Sequence, residues 1–155
     1  MFGPNDLLRM SDSAFDTQMR LIVEQTLAKG IIPVLSTFSY DPGMGLWLQS
    51  VNFNRRLVAI AAEYEVPIIN LWLAARALPE YGLEIDHIHM KHWGSENLKF
   101  DTGNVAFSGA SLRNLLTIRT LDEIRNTVIL PAGTLGAAPE PVADATAEAT
   151  VQAGA

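Results

Sequence analysis

Three histidines and one carboxylate lie together in Asp86-His87-Ile88-His89-Met90-Lys91-His92. Imidazole is the side chain that changes charge near neutral pH, which makes it the usual general base. Asp86 and His89 are three residues apart. In a loop or a single turn, that spacing lets the carboxylate accept from Nδ1, fix the tautomer and leave Nε2 free to take a proton. Two other readings fit the same stretch. It is a solvated polar loop, or it is a metal site with Asp86, His87, His89 and His92 as four candidate ligands. The metal reading needs these side chains to converge on one point, whereas the base reading needs only Asp86 and His89 to meet.

A second cluster, Gly3-Pro4-Asn5-Asp6, opens the chain. An Asn amide at the carboxyl end of a strand can donate to a developing oxyanion, and a glycine beside it lets backbone approach closely. The alternative is a plain turn, since these four residue types are common in turns. Ser11-Asp12-Ser13 follows and reads as a helix cap rather than a nucleophile. Ser13 with Asp16 resembles a capping box.

These residues need a scaffold. Phe15, Met19, Ile22, Val23 and Leu27 recur at helical spacing, and Gly30 ends that helix. Ile31-Ile32-Pro33-Val34-Leu35 is a short β-branched run that predicts a buried strand, with Pro33 as the objection. Thr37 to Gly45 is a loop containing Asp41-Pro42-Gly43. A second helix is predicted from Leu46 to Tyr64, with Phe53, Leu57, Ile60 and Tyr64 on one face. A second strand is predicted over Val66 to Leu71. Helix and apolar strand in alternation predict a parallel sheet with helices on both faces. A short helix near Trp72 to Leu78 leads to the histidine loop. An irregular polar segment then runs to Gly109. A last helix from Ser111 to Val128 carries Leu112, Leu115, Leu116, Leu121, Ile124 and Val128. From 131 to 155 the chain is Ala/Pro/Thr/Glu-rich and aperiodic, as in a disordered tail or linker, so the organisation is a domain over 1–130 and a tail.

Composition narrows the classes. The chain has 155 residues, enough for one domain, of which 48% are hydrophobic and 18% charged. Net charge is -6, and the basic residues are scattered, which argues against nucleic acid as a partner. No apolar run reaches the ~20 residues of a membrane-spanning helix. Cysteine is absent, so disulfides and thiolate sites are excluded, and the absence fits any compartment. The tail is of a kind that tethers extracytoplasmic domains.

Taken in order, the two motifs and the elements between them resemble the SGNH (GDSL-type) hydrolases. Gly3-Pro4-Asn5-Asp6 matches that family's Gly-x-Asn-Asp block, and Asp86-His87-Ile88-His89 matches its Asp-x-x-His block. The resemblance covers roughly residues 1 to 129. It implies a flavodoxin-like three-layer α/β/α sandwich with a parallel sheet, here N-terminally truncated. It also implies serine-esterase chemistry through an acyl-enzyme. His89 would be the base, Asp86 its orienting partner and Asn5 an oxyanion donor, with Gly3 and Asp6 in support. The substrate would be a small-molecule, carbohydrate or lipid ester, and neither metal nor cofactor is needed. The family's Gly-Asp-Ser block has no counterpart in this chain. The expectation is a nucleophile upstream of Met1 and a chain nearly inactive alone. A non-catalytic α/β binding domain and a metal-dependent hydrolase built on the histidine cluster are the alternatives.

Overall fold

A computed structural model describes residues 3–92 and 98–130. The chain divides into two compact units, Met1–Asp122 and Glu123–Ala155. In the first, a 3-10 turn (Pro4–Asp6) is followed by α1 (Asp12–Leu27), β1 (Leu35–Ser36), α2 (Trp47–Glu63), β2 (Ile68–Ile69) and α3 (Leu71–Ala75). A turn with left-handed Glu80 and Tyr81 (Pro79–Gly82), the histidine loop, α4 (Thr102–Phe107) and α5 (Gly109–Ile124) complete the order. The described part of the second unit continues from α5 into a π-helical segment, Arg125–Ile129, whose wider turn is closed by Leu130 N–H on Arg125 O at 2.7 Å.

Side-chain oxygens satisfy the first amides of several helices. Ser11 caps α1 by accepting from Ala14 N–H at 3.2 Å. The expected Ser13–Asp16 capping box is not what forms. Asp16 instead pairs with Arg20 one turn on, at 2.7 Å. Phe15, Met19 and Val23 are buried, as their spacing requires. Phe15 stacks on Phe53 of α2, with ring centroids 4.0 Å apart. Gly30 takes a φ of 70° after the helix, a conformation that favours glycine.

The three-layer flavodoxin-like sandwich expected from the sequence is not the structure. Among the described residues, helices dominate and the sheet is a single parallel pair of two-residue strands, in register Leu35↔Ile68 and Ser36↔Ile69. The physical reason lies at both ends of each predicted strand. Pro33 has no N–H to give a ladder, and Ile31 and Ile32 before it are exposed. Beyond β1, the buried Asn54 of α2 binds Phe38 on both sides, accepting from its N–H and donating to its carbonyl, each at 2.9 Å. A backbone so satisfied offers no further strand pairing. On β2, Asn70 caps α3 at once by accepting from Leu73 N–H. The ladder is thus reduced to the bonds flanking four residues, including Leu35 N–H to Pro67 O and Thr37 N–H to Ile69 O.

This short ribbon separates two cores. Leu35 belongs to the cluster that joins Phe15, Met19 and Val23 of α1 to Phe53, Leu57 and Ile60 of α2. Ile69 belongs to the other, with Leu71 and Ala75 of α3, Leu83, Met90 and Leu112. The polar segment before Gly109 holds an unexpected helix, α4, which Asp101 caps through Asn104 N–H at 2.8 Å. Leu121 and Val128, expected on a core face, are exposed. The tail expectation at 131–155 lies outside the described residues.

Candidate functional site

Three loops form the site's frame. The first is the Gly3–Asp6 turn. Gly3 adopts a φ of 136°, and a Cβ there would sit 2.4 Å from a ring carbon of Phe38. Only glycine fits this close approach. Asp6 closes the turn by accepting from Gly3 N–H at 2.7 Å, and Asp6 N–H returns to Gly3 O at 2.9 Å. Its carboxylate is therefore occupied with backbone, and Asn5 is left exposed at the tip.

The second frame is the loop after β1. Phe38 supports Gly3, Ser39 donates to Tyr81 O at 2.7 Å, and Asp41 Oδ2 lies 2.7 Å from His87 Nδ1. His87 has a φ of 60°, an uncommon conformation for a residue with a Cβ. That backbone setting accompanies a ring committed to Asp41.

The third frame carries His89. Leu83 and Met90 form an antiparallel bridge, and Glu84 N–H donates to His89 O at 2.8 Å, so the loop between them is tied at its base. Lys91 N–H reaches Gly82 O and Ala110 N–H reaches Lys91 O, joining the loop to the start of α5. Gly109 is required here, because a Cβ would lie 2.0 Å from Gly82 O.

Within that loop Asp86 does three things. Oδ1 accepts from the backbone N–H groups of Ile88 and His89, each at 2.9 Å, and Oδ2 meets His89 Nδ1 at 2.6 Å. The His89 side chain, then the two backbone donors, hold the Asp86 carboxyl well below the usual carboxylate range. With Nδ1 engaged, Nε2 is the ring nitrogen left to face outward. The side chain of His89 is 71% exposed, so Nε2 is open to a reactant or to water.

Asn5 and His89, 84 positions apart in the chain, line one cleft of about 260 Å³ with Pro4, Ile88, Met90, His92 and Arg113. Gly3, Asp6 and Asp86 act from behind it, through backbone and ring hydrogen bonds. Among the described residues lining this cleft there is no Ser or Thr. The four candidate metal ligands do not converge. His87 is turned to Asp41 and His89 to Asp86, and no group of three or more His, Asp or Glu suited to a metal ion occurs among the described residues. Among those residues, no helix is long and apolar enough to cross a membrane.

Sequence reasoning missed Asp41 as the partner of His87 and Arg113 as a wall of the cleft. Asp41 stands in a turn-forming Asp-Pro-Gly, and Arg113 lies on a helix whose apolar face is its main sequence signal. Neither carries a mark of its role in its own neighbourhood. No family model matches the chain, and no curated protein or solved structure matches it.

Proposed function

We propose that this chain carries the base and oxyanion side of a serine-esterase site. The observation behind the proposal is the cleft that Asn5 lines together with an Asp86-oriented His89. His89 Nε2 takes the proton of a serine hydroxyl as its oxygen attacks an ester carbonyl. The carbonyl's electron pair moves onto oxygen, where the Asn5 amide donates to it. Collapse expels the alcohol, which receives its proton from His89, and water repeats the sequence on the acyl-enzyme. Asp86 stays ionised throughout, orienting the ring and balancing the imidazolium. Asp6 and Gly3 hold the Asn5 turn.

The described residues of the cleft supply no hydroxyl side chain, and this reading names no nucleophilic serine among them. Substrates in this reading are carboxylic esters of small molecules, sugars or lipids.

A fluorophosphonate probe tests this reading in the protein as its own cells produce it. The serine oxygen bonds to phosphorus, fluoride leaves, and the serine proton passes to the base. A single modified serine, lost in His89→Ala, is expected. An absence of labelled serine, or labelling indifferent to His89→Ala, would overturn the assignment and leave a non-catalytic binding domain.

A further inference from the structure

Among the described residues that line the cleft, only Arg113 is charged at every ordinary pH. Asn5 contributes an amide, His89 an imidazole and Arg113 a guanidinium. The described carboxylates of the neighbouring loops are engaged elsewhere. Asp6 holds Gly3 N–H, Asp86 holds the His89 ring and two backbone amides, and Glu84 accepts from His92 N–H at 2.8 Å. Arg113 makes one long side-chain contact, to Asn114 Oδ1 at 3.5 Å, and forms no ion pair among the described residues. Among the described residues Arg9, Arg55, Arg76, Arg119 and Arg125 likewise form no ion pair, so what sets Arg113 apart is its place in the cleft with His89. Arg20 pairs with Asp16 and Glu63, and Arg56 approaches Asp16. A partly buried arginine in the same cleft as His89, with no acid paired to it among the described residues, is placed to take an external anion.

We infer that Arg113 is a specificity residue that binds an anionic group, a carboxylate or a phosphate, on the ester substrate. This inference rests on the esterase reading for its chemistry, but the anion site itself does not depend on turnover. A planar fork of donors suits two oxygens of a carboxylate or phosphate, while His89 and Asn5 address the ester group in the same cleft. Esters that are neutral throughout then lack one of the cleft's contacts. An acyl or alcohol portion ending in an anion makes it.

Two measurements separate this inference from the esterase reading. In the first, the chain is titrated with succinate and, separately, with inorganic phosphate, while the Arg113 Nε–H signal and the imidazole signals are followed by NMR. Saturable shifts are expected at Arg113 with at least one of the two anions, lost in Arg113→Leu and kept in His89→Ala. Response to succinate alone assigns a carboxylate, and response to phosphate alone assigns a phosphate. No saturation with either, or binding that survives Arg113→Leu, overturns the inference.

In the second, the protein from its own cells hydrolyses p-nitrophenyl butyrate and the mono-p-nitrophenyl ester of succinate, or a phosphate-bearing ester if phosphate was the anion bound. Arg113→Leu should lower kcat/KM for the anionic ester by about 10- to 100-fold, the usual range for a bond to a charged group. Its effect on the neutral ester should be at least about tenfold smaller, so that the ratio of the two activities changes. Arg113→Lys should recover part of the loss, because it keeps charge without the fork. Equal losses on both esters would reject Arg113 as the anion reader while leaving the His89-dependent esterase intact. Hydrolysis unaffected by His89→Ala would reject the esterase reading instead, without touching the anion titration.

Discussion

At the scale of residues, the contrast between His87 and His89 decides what this loop can do. Both sit beside a carboxylate, but His89 has Asp86 from its own loop and His87 has Asp41 from the loop after β1. The first pair faces the cleft with Asn5. The second ties two loops together. Asp86 provides a test in its own titration. Its carboxyl is depressed in the folded chain, so its hold on the loop is present above the ordinary Asp pKa and is lost only as pH falls through the folded value. The Asp86 side-chain carbon signal should therefore titrate well below the usual ~3.9, and the Ile88 and His89 amides should stay hydrogen-bonded at about pH 4. A midpoint at the ordinary value, with those amides released together, would show that Asp86 does not grip the loop in solution. The Asp-x-x-His spacing makes the Asp86–His89 pair legible in the sequence itself. The His87–Asp41 pair is not legible there, since a contact across 46 positions leaves no mark in local spacing.

At the scale of elements, the ribbon is short because side chains take over the backbone bonds at its ends. Asn54 is the clearest case. Its place in the sequence marks it only as one polar residue of the second helix, yet it is buried and satisfies both the N–H and the carbonyl of Phe38. Phe38 in turn is the surface on which Gly3 rests, so Asn54 supports the Asn5 turn at one remove. Asn54→Ala would strand two buried backbone groups and should cost at least the roughly 1–3 kcal/mol of one orphaned group. Urea unfolding followed by circular dichroism measures this. A change within about 0.5 kcal/mol, the range of an ordinary surface substitution, would contradict the role given to it. Helices are easier to foresee than strands. The Phe15, Met19, Val23 and Phe53, Leu57, Ile60 sets repeat at helical spacing over several turns, so their burial is legible. The five-residue run at Ile31 carries strand composition, but Pro33 and the capture of Phe38 by Asn54 limit it to two residues. The first of those signals is visible in the sequence, and the second depends on folding α2 against β1.

At the scale of the molecule, the ribbon divides two cores, and loops at its end build the cleft. The parallel pairing and the crossover helix α2 follow from alternation of helix and apolar strand. The three-layer sandwich inferred from family resemblance does not, because two strands of two residues do not make a layer. The placement of the candidate residues is more legible than the fold. Asn5, Asp86 and His89 stand out by motif chemistry, and they meet or share a cleft. Arg113 enters only when α5 is placed beside the histidine loop. The central claim is that His89, among three neighbouring histidines, is the base of an ester hydrolase. The most direct measurement is kcat and KM on a short-chain p-nitrophenyl ester, for the protein from its own cells and its three His→Ala variants. His89→Ala should lower kcat by several orders of magnitude with KM little changed, as removal of a transition-state function requires. His87→Ala and His92→Ala should stay within about tenfold, near 1.4 kcal/mol of barrier. A loss from His87→Ala or His92→Ala as large as that from His89→Ala, with a rate that responds to added zinc, would contradict the account.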